Sequence, residues 1–311
     1  MRRTATTVFS MNANFPRMDT PSTDYAERRH RGRDGLTLYA RDYAGASGPA
    51  RCPVVCLHGL TRNSGDFEDL APRIAALGRR VLAFDVRGRG ESDCDPDIKR
   101  YQPLVYALDT LEFMDALGIG RAVFFGTSMG GIITMAVAGK RLSAIAGAVL
   151  NDVGPILSTK GLARLAGYVG KNTPIESWDD AAARVRDINA IAFPDNSMDE
   201  WQRWARRAFR QGSDGRFMLN YDPAIAESLK AIRVKRSTLP ARLLFRRLAR
   251  NRPTLLVHGE TSDILDAAGV AYMRRAAPSM QLVDVPGIGH APMMTEPPAW
   301  MAIERFLSGV I

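Results

Sequence analysis

Ser128 sits in the stretch AVFFGTSMGG (122–131), where an apolar run meets Gly126 and two further glycines follow Met129. The pattern G-x-S-x-G is common by chance, so a small polar residue in a glycine-rich turn is the plain alternative to a nucleophile. The surroundings favour the nucleophile. AVFF reads as a buried strand, and GIITMAVAGKRL after it reads as a helix. A strand-to-helix turn this sharp strains its central residue and brings backbone close, which calls for glycine at 126 and 130. It also holds the hydroxyl at a helix N-terminus, where backbone N–H groups favour developing negative charge.

A serine hydroxyl is a weak nucleophile and needs a base, itself oriented by a third group. The chain offers four histidines: His30, His58, His258 and His290. In a turn of this kind the partners follow in the order serine, acid, histidine. His30 and His58 precede the serine. His258 ends a strand in LLVHGE and reads as structural, whereas His290 lies in the glycine-rich DVPGIGHAP, just past the last strand, from where it can swing over the sheet edge. His290 is the expected base. Two aspartates follow strand ends and can hold the imidazole: Asp263 in GETSDIL and Asp152 in VLNDVGP. Loop position and chain order favour Asp263, with Asp152 as the alternative. For the tetrahedral oxyanion, the Met129 N–H at the helix start and the Leu60 N–H in LHGLTRNS (57–64) are the expected donors.

The elements that must position these groups alternate between strand and helix. Strands are expected at 36–44, 53–59, 80–85, 122–126, 145–152, 253–259 and 281–286, most of them continuous apolar runs of the kind buried on both faces. Helical patterns lie between them, for example DFEDLAPRIAALG (66–78) and LVYALDTLEFMDALG (104–118), the latter stopped by Gly118. This predicts an α/β fold with a doubly wound, mostly parallel sheet. The rhythm breaks between Asp152 and Arg252, where GLARLAGYVGK, SWDDAAARVRDINAIA, MDEWQRWARRAFRQ and DPAIAESLKAI read as helices. The expected organisation is a flexible leader at 1–34, a core of 35–152 with 246–311, and a helical cap at 153–245 inserted between two late strands. Such a cap would cover the strand C-terminal edge, where open α/β sheets bind ligands.

Composition sets the outer limits. Hydrophobic residues make up 46% and charged residues 24%, which fits a globular protein with a substantial core. No apolar run reaches the ~20 residues that span a bilayer, so no integral membrane association is expected. The leader has an arginine pair but no apolar segment behind it, unlike a secretory signal. Cys52, Cys56 and Cys94 show no zinc spacing with the histidines, and Cys52 and Cys56 on one strand stand too far apart to bridge. A reducing, cytoplasmic setting suits this usage, and no metal or cofactor is expected. The net charge of +9 and the stretch RVKRSTLPARLLFRRLARNR (233–252) raise nucleic-acid or membrane-surface binding. Leu243, Leu244, Phe245 and Leu248 there instead give an amphipathic helix an apolar face, and no nucleic-acid module is recognisable, so no nucleic-acid partner is expected.

Taken together, the elbow GTSMGG, the turn HGLT, FDVRGRGES after a strand, GETSDIL and GIGHAP resemble the α/β-hydrolase superfamily in its capped, esterase-like branch, over roughly residues 35–311. The resemblance implies an acyl-serine hydrolase of a small apolar ester or lactone, with Ser128, Asp263 and His290 as its triad. It also implies that Arg87, Gly88 and Gly90 shape a structural loop, in which Asp85 takes no catalytic part. Serine at the elbow argues against the haloalkane-dehalogenase and epoxide-hydrolase branches, which use aspartate there. The alternatives are a C–C bond hydrolase of ring-cleavage products, an N-acyl-homoserine lactonase, and a ligand receptor on the same scaffold. Arg203, Arg206, Arg207 and Arg210 are basic residues of the expected cap, and Trp178, Phe193, Trp201, Trp204, Phe217 and Met218 are either pocket walls or packing between its helices.

Overall fold

A computed structural model describes residues 24–49, 51–171, 174–227 and 237–310. Eight strands form one sheet: β1 (Ala26–Arg31), β2 (Thr37–Tyr43), β3 (Val54–Leu57), β4 (Val81–Asp85), β5 (Ala122–Thr127), β6 (Ile145–Asn151), β9 (Thr254–Gly259) and β10 (Gln281–Val285). Their order is β1-β2-β4-β3-β5-β6-β9-β10. β2 pairs antiparallel with both β1 and β4, and the neighbours from β4 onward in that order, β4-β3-β5-β6-β9-β10, pair in parallel. The expected mostly parallel α/β sheet is therefore present, with every anticipated strand in place to within about two residues.

β3, β4, β5 and β6 are buried almost throughout because both faces of the sheet are covered. Alternate residues of a strand feed opposite faces. Val55 and Leu57 join one core cluster with helices α2 (Pro103–Ala116) and α3 (Met129–Arg141), while Val54 and Cys56 join the other with α1 (Ala71–Ala76) and α8 (Pro297–Ser308). Phe124 and Phe125 on β5 split in the same way. Each such fully buried side chain contributes about 1.5–3 kcal/mol relative to exposure. β5, which leads into Ser128, is thus packed on both faces.

Between β6 and β9 the chain leaves the sheet and forms α4 (Thr159–Tyr168), α5 (Trp178–Asn189), α6 (Met198–Ala208) and a hairpin of β7 (Phe209–Gln211) with β8 (Phe217–Leu219). Val185, Phe193, Trp201 and Trp204 build a separate small core here. α6 starts on a capping box, in which the Ser197 side chain accepts from Glu200 N–H while the Glu200 side chain accepts from Ser197 N–H. Arg207 ties this insertion to the sheet domain by donating to Glu68 (2.8 Å) and Asp69 (3.0 Å).

Three boundaries differ from expectation. Residues 24–34, assigned to the leader, include β1, whose full register with β2 makes it an edge strand of the sheet. Residues 1–23 lie outside the described residues. The insertion is not purely helical, since Phe209–Gln211 leave the expected MDEWQRWARRAFRQ helix for the hairpin. The DPAIAESLKAI segment is described only to residue 227. Finally, the expected cap boundary at 245 cuts α7 (Leu239–Ala249), which packs on α3 and belongs to the sheet layer. Phe245 and Leu248 supply its buried face and Leu244 presses on Gly139, whereas Leu243 points to solvent.

Candidate active site

Ser128 joins β5 to α3 with φ 52° and ψ −113°, a left-handed conformation that is costly for any residue with a Cβ. The two flanking glycines are sterically required. A Cβ on Gly126 would come within 2.5 Å of the Gly130 backbone, and one on Gly130 within 1.9 Å of the Leu57 carbonyl oxygen. The turn is pinned from both sides, since Ser128 N–H donates to the Asn151 carbonyl (3.0 Å) and the Ser128 carbonyl accepts from Gly131 N–H (2.9 Å). The strain is thus held by packing, which fixes the direction of the hydroxyl.

His290 follows β10 and reaches back over the sheet edge. Its Nε2 lies 2.8 Å from Ser128 Oγ, and its Nδ1 lies 2.7 Å from Asp152 Oδ2. A carboxylate can only accept, so Nδ1 carries the proton in the neutral ring and Nε2 is free to accept from the serine hydroxyl. Asp152 is wholly buried, and its carboxylate is satisfied by Gly259 N–H on Oδ1 (3.0 Å) and by the Ser262 hydroxyl on Oδ2 (2.5 Å). Its own backbone is left-handed at φ 55°, so the chain turns sharply as it leaves β6. That turn sends the side chain between β5 and β9 towards the imidazole.

His290 therefore faces Asp152 rather than the expected Asp263. Asp263 makes a two-pronged ion pair with Arg164 of α4, at 2.5 and 2.8 Å, and Arg164 holds its carboxyl below the usual range. Asp152 and Asp263 both follow strands and both satisfy the serine-acid-histidine order, so neither criterion separates them. What separates them is Ser262, whose hydroxyl accepts from Ile264 N–H (3.2 Å) and Leu265 N–H (3.1 Å) while donating to Asp152. The loop after β9 thereby supports the aspartate of β6 and turns Asp263 towards the insertion. His258 is engaged elsewhere, with Nδ1 2.7 Å from Asp284 and Nε2 3.0 Å from the Leu265 carbonyl.

Leu60 and Met129 lie beside the serine, and among the described residues neither backbone N–H has a protein acceptor. A Cβ on Gly59 would stand 3.9 Å from Ser128 Cβ, which places the HGL turn against Ser128. Two buried side chains hold that turn. His58 Nε2 accepts from Val86 N–H (3.0 Å), so its proton is on Nδ1 and is donated to the Gly59 carbonyl (2.7 Å). Burial pushes the His58 pKa down to about 4, so the ring is neutral at pH 7. Arg89, also buried, donates Nε to the Leu60 carbonyl (3.0 Å), donates Nη1 to the Arg87 carbonyl and the Tyr106 hydroxyl, and sets Nη2 3.6 Å from Met129 Sδ. No carboxylate among the described residues pairs with it. Its neighbours in the motif are structural. Arg87 is bound by Asp34, Asp95 and Asp109, and Asp85 accepts from Ser64 N–H (2.5 Å) and Glu91 N–H (2.8 Å).

A cavity of about 130 Å³ opens above Ser128 and His290. Phe67, Leu165, Val185 and Leu219 give it apolar walls, and Arg184 and Tyr221 line it from the insertion. Of the six large side chains weighed as pocket walls, Trp204 lines the cavity, Phe193 and Trp201 are buried in the insertion's own core, and Met218 is largely exposed. Trp178 and Phe217 pack edge to face. Arg203, Arg206, Arg207 and Arg210 do not line the cavity: Arg203 faces Asp69, Arg206 lies over Trp178, Arg207 binds Glu68, and Arg210 binds Asn220 and the Gly90 carbonyl. Sequence reasoning overlooked Ser262, Arg89, Arg184 and Tyr221, because nothing in their local spacing marks them. Among the described residues no group of three or more His, Cys, Asp or Glu could hold a metal ion. Nor is any described helix long and apolar enough to cross a membrane.

Known proteins share this architecture. The sequence model of the alpha/beta hydrolase fold family matches residues 53–297. A 3-hydroxybutyrate-oligomer hydrolase of Cupriavidus necator is 32% identical over 260 residues, covering 82% of this chain and 88% of the relative. A 2-(acetamidomethylene)succinate hydrolase of Mesorhizobium japonicum is 29% identical over 255 residues, covering 82% and 85%. The crystal structure of an alpha/beta hydrolase from Novosphingobium aromaticivorans superposes with a TM-score of 0.84 at 44% identity, covering 91% of this chain and 98% of the other.

Proposed function

This chain belongs to the α/β-hydrolase fold family, and on that premise we propose that it is a serine hydrolase cutting carboxylic esters through an acyl-serine intermediate. The observation that carries this reading is the hydrogen-bonded series from Ser128 Oγ to His290 Nε2 (2.8 Å) and from Nδ1 to buried Asp152 (2.7 Å). As Ser128 Oγ attacks the acyl carbon, His290 Nε2 takes its proton, and Asp152 steadies the resulting imidazolium. The carbonyl oxygen, now an oxyanion, is met by the N–H groups of Leu60 and Met129. The tetrahedral intermediate collapses, His290 returns the proton to the departing alkoxide, and the alcohol leaves. Water then attacks the acyl-serine with the same histidine as base, releasing the acid and restoring Ser128. The residues inserted between β6 and β9 act as a cap, since they roof the cavity in which this chemistry occurs.

An ester rather than a carbon–carbon bond is favoured by the relative that hydrolyses 3-hydroxybutyrate oligomers, because hydroxy acids joined head to tail are joined by esters. The test is reaction of the full chain with a fluorophosphonate probe, alongside hydrolysis of short and long acyl esters, lactones and dienones. The expected result is stoichiometric labelling that Ser128→Ala abolishes, together with loss of ester turnover. Full turnover by Ser128→Ala on every ester cleaved by the wild type overturns the reading.

A further inference from the structure

The cavity above Ser128 is unbalanced in charge. Its charged lining, apart from His290, comprises Arg62, Asp66, Lys171 and Arg184. Arg62 and Asp66 neutralise each other at 2.5 Å, with the guanidinium stacked 3.9 Å from the centre of the Trp204 ring. The nearby Asp263 is likewise matched by Arg164. Lys171 and Arg184 have no carboxylate partner among the described residues. The chain segments 172–173 and 228–236 contain no Asp or Glu, so they cannot supply one.

Arg184 is half-buried on α5, one residue from Val185, which anchors that helix in the insertion's core. A guanidinium held partly out of water without a counter-ion loses solvation that only an incoming anion restores. Beside it, Tyr221 is a second donor. Its hydroxyl oxygen accepts from Gly170 N–H (3.1 Å), which leaves the hydroxyl proton available to donate, and Tyr221 lines the cavity. Both side chains line the same cavity; burial raises the pKa of this hydroxyl, and the Gly170 N–H and the Arg184 charge oppose that rise. A planar, forked cation and a neutral O–H donor lining one cavity are groups suited to binding a carboxylate through both its oxygens. Phe67, Leu165, Val185 and Leu219 wall the same cavity and suit a short hydrocarbon spacer.

We propose that Arg184 and the Tyr221 hydroxyl form a carboxylate-recognition site in the roof of the cavity, with Lys171 at its edge, so that the favoured substrates are esters that also carry a free carboxylate. This rests on the serine-hydrolase reading for which bond is cut, but binding at the roof does not require Ser128 to react. The test therefore begins with the Ser128→Ala chain, which binds without turnover. Calorimetric titration with monomethyl glutarate, an anion, and with dimethyl glutarate, its neutral counterpart, compares affinities in one fold. The expected result is at least about tenfold tighter binding of the anion, weakened by added salt. Adding Arg184→Gln removes the preference, and adding Arg186→Gln, an exposed change on the same helix, leaves it. Equal affinity for the two esters, no measurable binding of the anion, or a preference that survives Arg184→Gln overturns the proposal. On the Ser128-containing chain, the ratio of kcat/KM for the two esters follows the same pattern. Absence of turnover on both esters, with no labelling of Ser128 by the fluorophosphonate probe, would instead sink the serine-hydrolase reading while leaving the binding comparison intact.

Discussion

Asp152 Oδ2 lies 2.7 Å from His290 Nδ1, although the two residues are 138 positions apart in the chain. The contact joins the end of β6 to the loop after β10, and Ser262 and Gly259 at the end of β9 complete the carboxylate's hydrogen bonds. Three strand ends thus converge on one side chain. The base of the proposed reaction is oriented from the firmest part of the sheet.

Replacing each aspartate in turn separates their roles. Asp152→Asn presents an amide that need not hold the imidazole in the tautomer required, and kcat on an ester is expected to fall roughly 10³- to 10⁴-fold. Asp263→Asn removes the partner of Arg164 and is expected to lower kcat by less than about tenfold, because a partly exposed ion pair of this kind is worth little more than 1 kcal/mol. Steady-state kinetics of both variants on one substrate decide the matter. The opposite ranking would make Asp263 the acid.

Arg89 connects the two expected oxyanion donors, bonding the Leu60 carbonyl and lying against the Met129 sulfur. Its replacement by methionine orphans the Leu60 and Arg87 carbonyls, at about 1–3 kcal/mol for each buried acceptor left unsatisfied. It also frees the turn that presents the Leu60 N–H. The expected outcome is a fall in kcat of roughly 10- to 100-fold with KM little changed, since the oxyanion exists only after attack. Arg89→Lys keeps the charge and recovers part of kcat. A parallel loss of KM and kcat in both variants, with the melting temperature lowered equally, would reduce Arg89 to a packing residue.

The elbow tolerates no side chain at Gly130, where a Cβ would meet the Leu57 oxygen at 1.9 Å. Gly130→Ala must push α3 away from β3, and a loss of more than about 3 kcal/mol is expected, in the range of severe core strain. Urea titration measures it. A stable, fully active Gly130→Ala protein would show that the turn is looser than its contacts imply.

The strands were legible because a sheet covered on both faces demands unbroken apolar runs, and the elbow because its glycines are forced by sterics. Ser128 and His290 follow from that, since they are placed by a strand end and a loop of fixed order. Asp152 against Asp263 was not legible. Both stand at strand ends, and the choice is made by the Ser262 hydroxyl and by Arg164, partners distant from one aspartate or the other in sequence. β1 escaped notice because AERRHR is an exposed edge strand with no apolar alternation to reveal it. Arg184 and Tyr221 were hidden for a related reason: their importance lies in what they lack or leave free, which only a three-dimensional neighbourhood displays.

His58 makes stability depend on pH in a defined direction. Its ring is wholly buried, accepts from Val86 N–H and donates to the Gly59 carbonyl, a pattern available only to the neutral form. Burial lowers its pKa in the folded protein to about 4, against an unfolded value of about 6.5. Above about pH 6.5 neither state is protonated at this residue, and its contribution is complete. As pH falls towards 4, the unfolded chain binds a proton that the folded chain refuses, so stability declines, by on the order of 3 kcal/mol across the window. Below about pH 4 the folded ring is protonated too, and this dependence levels off. Denaturant titrations at intervals from pH 7 to pH 4 measure the slope. His58→Asn, which keeps a donor and an acceptor but does not titrate, is expected to be less stable at pH 7 and to lose about one proton's worth of slope. An unchanged slope in that variant would assign the acid sensitivity to other groups and leave His58 without the part described for it.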